Sequence, residues 1–218
     1  LWGVMIFLSI PALIVIPLAL WLSKSAGAGV IGTGQSAEKS PSMLGMFSET
    51  IRNKSYIFLL VGFFTCGFHM AIIETHLYTQ ITSYGFSEQI AAYAFSVYGI
   101  LAILGSIVSG VLGSRFKMKW VLGSFYASRF VIIVLFFILS KTIFSIYAFL
   151  MLLGFTGNAT VPPTSGLINH LFGPAKLAVL LGFAFLSHQT GSFFSAWLGG
   201  ISIAATGGYE LIWYFSAL

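Results

Sequence analysis

Aspartate is absent from this sequence, cysteine occurs once, and charge of either sign is scarce. Charged residues make up 7% of the 218 residues and hydrophobic residues 58%, with a mean hydropathy of +0.98. Soluble domains carry roughly 25% charged residues, so this composition predicts an integral membrane protein. The single Cys66 excludes an intrachain disulfide, and no group of histidines and cysteines has the spacing of a metal site.

Further absences limit the function. The sequence has no GxxxxGK[ST] phosphate loop, which excludes an ATP-driven pump built on that motif, and no pattern predicts a cofactor. The first residues are apolar without an initiating methionine, a basic leader or a cleavage site, unlike a signal peptide. Because the last residues stop within another apolar run, we expect a fragment of a longer protein.

Long apolar runs dominate what is present. A helix needs about 20 apolar residues to cross a hydrocarbon layer of roughly 30 Å. Six such runs predict membrane-spanning helices near 2–22, 55–82, 88–113, 119–139, 142–166 and 175–203, and another helix begins near Tyr209. The connections at 83–87, 114–118, 140–141 and 167–174 are short, so consecutive helices are predicted to be antiparallel neighbours.

Basic residues concentrate on one side of this topology. Lys141 lies alone on the other side, and the first side carries Lys24, Lys39, Arg52, Lys54, Arg115, Lys117, Lys119 and Lys176. The positive-inside rule makes loops 23–53, 114–118 and 167–174 cytoplasmic. The net charge of +5 is thus explained without a nucleic-acid partner. Tryptophans are expected at both membrane surfaces, Trp197 and Trp213 at the outer one and Trp120 at the inner one.

The one substantial hydrophilic segment, 23–53, begins with a Gly/Ala/Ser-rich stretch that is typical of a flexible linker. Ser40 and Pro41 then form an N-cap and first-turn pair. Four apolar residues follow on one helical face: Met43, Leu44, Phe47 and Ile51. They predict a short amphipathic helix on the cytoplasmic surface of the membrane.

Two predicted helices share a spacing of small residues. The sequence contains Gly105-x3-Ser109-x3-Gly113 and Gly191-x3-Ser195-x3-Gly199. This spacing lets helix backbones approach closely. The two helices are the middle members of three-helix groups that run in opposite directions, which indicates the inverted repeat of secondary transporters. Ordinary tight packing would give the same spacing.

Four segments resemble the C-terminal half of major facilitator superfamily transporters: CGFHMAIIETHL (66–77), VPPTSGLINHLFG (161–173), FLSHQTGSFFSAWLGG (185–200) and ATGGYELIW (205–213). They look like a bacterial branch related to the monocarboxylate and oxalate:formate carriers, which implies a bacterial inner membrane. The resemblance implies an all-α polytopic membrane fold, a six-helix half built of inverted three-helix repeats. It implies that 1–22 is the last helix of the N-terminal half, 23–53 the central loop and 54–218 the C-terminal bundle. The implied partners are a small-molecule substrate, the lipid bilayer and the missing N-terminal half.

One motif departs from the family pattern. The loop GVLGSRFKMK (110–119) resembles the G-x-x-x-D-R-x-G-R-R gate motif, but Ser114 replaces the aspartate and Lys117 the second glycine. Arg115, Lys117 and Lys119 remain to meet lipid phosphates or a helix C-terminus. Monocarboxylate carriers also have an arginine in the preceding helix, whereas that helix is uncharged here. Neither the usual ion pair nor that anion contact can be transferred to this chain.

Ionisable residues within the predicted spans are few, and such residues are functional candidates. At about 1.5 Å of rise per residue, His69 and His188 share a level just outward of the midplane. The resemblance implies that both their helices face a central cavity, so substrate contact and proton carriage are expected. The alternative is that neighbouring hydroxyls or carbonyls satisfy both rings. Glu74 is rotated about 140° from His69 and is expected to face a neighbouring helix or the outer rim. His76 is expected at the membrane interface and His170 in solvent.

Other polar and helix-breaking residues complete the set of candidates. Arg129 lies near mid-bilayer, where an unpaired arginine costs about 2.5–3.5 kcal/mol. It either bonds a backbone carbonyl or Asn158 as a structural residue, or it binds a substrate anion. Asn158 and Gln189 either donate to a substrate carboxylate or join helices. Pro162 and Pro163 mark either a packing kink or the flexing point of a gate.

These residues predict a secondary active transporter rather than an enzyme, carrying a small organic anion such as a monocarboxylate by alternating access. Protons are the candidate coupling ion, and no metal is expected. Efflux of amphiphilic drug-like compounds is an alternative that fits the aromatic content of 22 Phe and 9 Tyr. A metal enzyme using His69, Glu74 and His188 is disfavoured by the 140° rotation. A non-transporting sensor or scaffold is the remaining alternative.

Overall fold

The computed structural model describes residues 43–209 and 212–213, which are helical apart from short connections. The helices within this part of the chain are α1 Met43–Thr50, α2 Lys54–Ile72, α3 Tyr78–Ser83, α4 Glu88–Arg115, α5 Met118–Ile138, α6 Ile143–Gly157, α7 Val161–Phe172 and α8 Pro174–Thr206. A π-helical turn, Ile73–Leu77, joins α2 to α3, and a 3₁₀ turn, Asn158–Thr160, joins α6 to α7. The predicted helix at 2–22, the linker at 23–42 and most of the helix beyond Tyr209 lie outside the described residues.

Five helical stretches in the described part of the chain are long and apolar enough to cross a membrane. In chain order these spans are Lys54–Ser83, Glu88–Arg115, Met118–Ile138, Ile143–Phe172 and Pro174–Thr206. We refer to them as the first to the fifth span. They confirm the predicted all-α membrane fold.

Side-chain caps mark where several spans begin. The Asn53 carboxamide oxygen accepts a hydrogen bond from the N–H of Ser55, and the hydroxyls of Ser87 and Thr142 cap the second and fourth spans in the same manner. Such caps satisfy first-turn amides that have no partner within the helix. Gly173 alone separates the fourth span from the fifth, at a φ of 79° that strongly favours glycine.

The fourth span ends later than predicted. The sequence indicates an end near 166 and a loop at 167–174, whereas α7 continues to Phe172. Pro162 and Pro163 lie in the first turn of α7, where amides lack an intrahelical partner in any case, so the helix restarts there. His170 therefore lies in the last turn of α7, with an exposed side chain.

The short helix predicted before the first span is present as α1. The Phe47 ring lies 4.2 Å from the ring of Phe183, centroid to centroid, so this residue packs against the fifth span. Phe47 is partly buried and Thr50 is buried, whereas Ile51 follows the helix and is 41% exposed. At least part of the face predicted to meet lipid therefore meets protein.

Two pairs of spans pack most closely, the first with the fifth and the second with the fourth. A Cβ atom on Gly191 would overlap the carbonyl of Phe64, and one on Gly105 would overlap the carbonyl of Phe155. Each predicted small-residue stripe therefore contains a place of close backbone approach, at Gly105 and at Gly191. In the predicted inverted repeat, the first span corresponds to the fourth and the second span to the fifth. The pair of the first and fifth spans then corresponds to the pair of the fourth and second spans.

Tryptophans divide between the lipid surface and the core. Trp120 and Trp197 are 70% and 54% exposed. Trp213, expected at the membrane surface, is only 1% exposed and packs against Phe136. Its indole N–H donates to the Gln80 carboxamide oxygen at 2.8 Å, so burial leaves this polar group satisfied.

Candidate functional site

The fourth span is interrupted where two prolines meet. Pro162 and Pro163 offer no N–H to the carbonyls of Asn158 and Ala159, four residues earlier. At the end of the 3₁₀ turn the backbone N–H of Val161 donates to the Asn158 carbonyl. The Ser109 hydroxyl, from the second span, donates to the Ala159 carbonyl. A neighbouring span thus satisfies a carbonyl that the prolines leave open.

Arg129 binds the same interruption from the third span. Its side chain is 1% exposed, and Nη2 donates to the carbonyl oxygens of Thr156 and Gly157, both at 2.9 Å. The guanidinium also lies 5.6 Å from the Tyr126 ring centroid. Bonds from a charged donor contribute more than neutral ones, so this arginine stabilises the end of α6.

Cys66 connects the first span to Arg129 and to the helix break. Its thiol is buried, accepts a hydrogen bond from Arg129 Nη1 at 3.2 Å and lies 3.5 Å from the Thr160 hydroxyl. Polar contacts therefore join the first, third and fourth spans at this level. The sequence contained no signal for this role of Cys66, because a lone buried cysteine reads as a small apolar residue.

A cavity of about 580 Å³ opens between the first, fourth and fifth spans. Its lining residues are Met70, Ala71, Glu74, Thr75, Asn158, His188, Gln189, Ser192, Phe193 and Ala196. Glu74 belongs to the π-helical turn and Asn158 to the 3₁₀ turn, so two of the three walls are irregular at this level. Such turns recur at functional sites because they re-aim side chains out of the regular helical register.

The cavity brings together three of the five predicted substrate-binding residues. His188, Gln189 and Asn158 line it, whereas His69 and Arg129 do not. Arg129 is enclosed by protein and its hydrogen bonds go to backbone carbonyls and a thiol. The structure therefore places it behind the cavity wall, at the helix break.

Glu74 occupies the place in the cavity that was expected for His69. The sequence predicted that His69 would face the cavity and Glu74 a neighbouring helix or the outer rim, whereas Glu74 lines the cavity and His69 does not. Glu74 and His188 both line this cavity. Ser192, another lining residue, donates to the carbonyl of Gly67 at 3.1 Å. Within the described residues no three His, Cys, Asp or Glu side chains lie close enough to hold a metal ion.

The predicted gate loop lies at the far end of the second span. Arg115 is the last residue of the second span and is exposed. Lys117 and Lys119 line a separate cavity of about 570 Å³. Ser114, which replaces the aspartate of the motif, donates to the carbonyl of Val111 in its own helix. With a serine at this position, the loop at 114–118 contains no carboxylate.

Comparisons with known proteins agree with the fold. Residues 59–218 match the family described as Major Facilitator Superfamily. Over 185 residues the chain is 28% identical to YcxA of Bacillus subtilis (strain 168), an uncharacterized MFS-type transporter. The match covers 82% of this chain and 44% of that relative, so the chain spans less than half the length of the relative. Such matches point to movement of a solute across a membrane rather than to an enzyme. The chain belongs to the Major Facilitator Superfamily.

Proposed function

We propose that this chain forms one half of a proton-coupled carrier for a small monocarboxylate. The observation that supports the proposal is a single cavity lined by both His188 and Glu74, with two carboxamide side chains beside them. A substrate held between two halves is released by alternating access. A gradient of ions or substrate drives the cycle.

The fifth span supplies the contacts for a carboxylate. The His188 imidazole offers a donor that becomes positively charged on protonation, and Gln189 is exposed next to it. Asn158 provides a further carboxamide from the fourth span. Hydrogen bonds between a charged and a neutral group contribute about 1.5–3 kcal/mol each, enough for the micromolar to millimolar binding of a transported solute.

Glu74 supplies the coupling. Two unit charges about 4–6 Å apart repel by roughly 3–4 kcal/mol at an effective dielectric constant of about 20. An ionised Glu74 therefore opposes an anion in a cavity of about 580 Å³, and a protonated Glu74 does not. Anion binding and proton binding at Glu74 then favour each other, which is the thermodynamic requirement for symport.

The opposing wall of the cavity comes, in this proposal, from an N-terminal half of the same transporter. Glu74 and Gln189 are exposed along the open side of the cavity. The length of the relative leaves room for a second half. We assign the protein to a bacterial inner membrane, with loop 114–118 on the cytoplasmic side, because basic residues accumulate there.

Uptake by the full-length protein in proteoliposomes tests the proposal. Labelled lactate is offered with and without an inward proton gradient, and lactate exchange is measured at equal pH on both sides. Glu74→Gln mimics the protonated carboxyl, so we expect exchange to persist while stimulation by the gradient is lost. Glu88→Gln is the matched control, because Glu88 is an exposed carboxylate in the first turn of the second span and does not line the cavity.

His188→Gln probes the anion contact in the same assay. We expect the KM for lactate to rise about tenfold or more, since a charge-assisted hydrogen bond is lost. Gradient-stimulated accumulation that survives in Glu74→Gln would contradict the coupling role. Absence of uptake of lactate, and of labelled formate, acetate and pyruvate offered in the same way, would contradict the substrate class.

Efflux of an amphiphilic cation is the second candidate. The carboxylate of Glu74 beside the apolar Met70 and Phe193 favours it, because such a cation needs one anionic partner and apolar contacts. In that case tetraphenylphosphonium binds to the wild-type protein, Glu74→Gln abolishes the binding, and lactate has no effect on it.

A further inference from the structure

The second large cavity of the bundle lies where the first four spans reach the side predicted to be cytoplasmic. Its volume is about 570 Å³, nearly that of the central cavity. It is lined by Ser55, Gly113, Phe116, Lys117, Met118, Lys119, Leu167, His170 and Leu171. None of these residues lines the central cavity, so the space is a separate site.

Charge of one sign lines this cavity. Lys117, Lys119 and His170 contribute basic groups and Ser55 a hydroxyl. Glu74 and Glu88 are the only carboxylates whose side chains the structure describes. Glu74 lines the central cavity, and Glu88 lies at the opposite end of the second span from this loop. Among the described side chains, the two lysines thus have no carboxylate with which to form an ion pair.

The start of the third span adds to the positive potential. Met118 is the first residue of this 21-residue helix, and no side chain caps its N-terminus. The first-turn amides and the positive end of the helix dipole therefore act in the same direction as the lysines. Ser114 cannot compensate, because its hydroxyl is bonded within the second span.

The rim of the cavity is apolar and faces outward. Phe116 and Leu171 line the cavity and are 61% and 38% exposed. Trp120, next to the loop, is 70% exposed, and Lys119 Nζ lies 5.7 Å from the centroid of its ring. Tryptophan and lysine side by side are typical of the interface between headgroups and acyl chains. A ligand that fits has an anionic head and an apolar body.

We infer that this cavity binds an anionic phospholipid, with the phosphate between Lys117, Lys119 and His170 and the acyl chains over Phe116 and Trp120. A phosphate accepts hydrogen bonds from lysine and from free amides, and the juxtamembrane cations add attraction to an anionic leaflet. The site is independent of the solute that the central cavity carries. The lipid supplies the negative charge that Ser114 does not.

Two glycines of the second span give a matched pair of variants. A Cβ on Gly113 would have the Met118 Cγ, 3.9 Å away, as its nearest neighbour, so a leucine at 113 extends into the cavity without a backbone clash. A Cβ on Gly110 has nothing within 4 Å, so Gly110→Leu adds the same side chain outside the cavity. Neither substitution changes the charge. Lys119→Gln is a third variant that removes one cation and fills no space.

The full-length protein is reconstituted into nanodiscs of phosphatidylcholine containing phosphatidylglycerol, and native mass spectrometry counts the phosphatidylglycerol retained. We expect Gly113→Leu to lose a retained molecule that the wild type and Gly110→Leu keep. Lys119→Gln should weaken retention about fivefold, the contribution of one basic residue near an anionic surface. In a parallel arm, inorganic phosphate is added to nanodiscs of phosphatidylcholine alone and the melting temperature is followed.

Each outcome decides the matter. Loss of retention in Gly113→Leu and Lys119→Gln, but not in Gly110→Leu, supports the lipid site. Equal retention by the two leucine variants attributes binding to general surface charge and overturns it. A melting shift with inorganic phosphate, without retained phosphatidylglycerol, assigns the cavity to a free anion and overturns the lipid assignment. Uptake of lactate is measured separately, so failure here leaves the proposed function untouched.

Discussion

Replacement of Arg129 by methionine tests whether this arginine holds the helix break together or serves the substrate. Methionine matches the length of the arginine stem but offers no donor. The carbonyls of Thr156 and Gly157 lose their charged donor, and the Cys66 thiol loses one as well. Two bonds from a charged donor contribute about 3–6 kcal/mol, and part of this is recovered because no charge has to be buried. We expect a net loss of about 3 kcal/mol in the free energy of unfolding.

For a bundle of this size, that loss corresponds to a melting temperature about 6–12 °C lower. Cys66 is the one cysteine of the chain and is 2% exposed, so a fluorogenic maleimide in detergent reports unfolding through its reaction with this thiol. The midpoint of the melt is read rather than the amplitude, because the thiol itself contacts Arg129. Arg115→Met is the control, since Arg115 is exposed and its loss should leave the midpoint unchanged.

Arg129→Lys separates charge from geometry in the same melt. A lysine keeps the positive charge but lacks the planar fork that reaches the thiol and two carbonyls at once. We expect a midpoint between those of the wild type and Arg129→Met. The structural assignment is refuted if Arg129→Met melts together with the wild type and Arg115→Met while lactate uptake is lost. That result would assign Arg129 to the binding of a substrate anion.

Two further predictions concern the close contacts between the second and fourth spans. Gly105→Ala introduces a Cβ that overlaps a backbone carbonyl and should cost about 1–3 kcal/mol in the same melt, whereas Gly110→Ala faces open space and should be neutral or gain up to about 1 kcal/mol. Equal midpoints for these two variants would contradict the close approach. Ser109→Ala leaves a buried carbonyl without its hydroxyl donor and should cost about 1–2 kcal/mol. Pro163→Ala restores an N–H four residues after the Ala159 carbonyl. The double variant Ser109→Ala/Pro163→Ala should therefore recover most of the stability that Ser109→Ala loses. Additive losses in the two single variants and the double variant would contradict this account.

Much of the fold followed from the sequence because the bilayer leaves few choices for the backbone. A spanning segment must satisfy its own amides and carbonyls, so runs of about 20 apolar residues are helices whatever their exact composition. Ser87 and Thr142 then fix where helices begin, and the small-residue stripes indicate where two backbones meet.

The boundary near 166 was less predictable, because prolines have two opposite meanings. Inside a helix Pro162 and Pro163 would break it, but in a first turn they are tolerated. The choice depends on donors for the carbonyls that they leave open. Ser109 provides such a donor to Ala159, and Arg129 bonds two carbonyls just before those that the prolines leave open; both donors come from other spans. Local sequence contains no information on these partners.

Composition, spans and their order, and the family resemblance were thus determined by the sequence itself. Which side of each span faces the cavity was decided only by the tertiary structure. In a soluble helix the apolar side identifies the core, but in a membrane the lipid is as apolar as the protein interior, so both sides of a span look alike. For this reason the sequence did not indicate that Glu74, rather than His69, lines the cavity. Nor did it indicate that Trp213 is buried among aromatic rings instead of lying at the membrane surface.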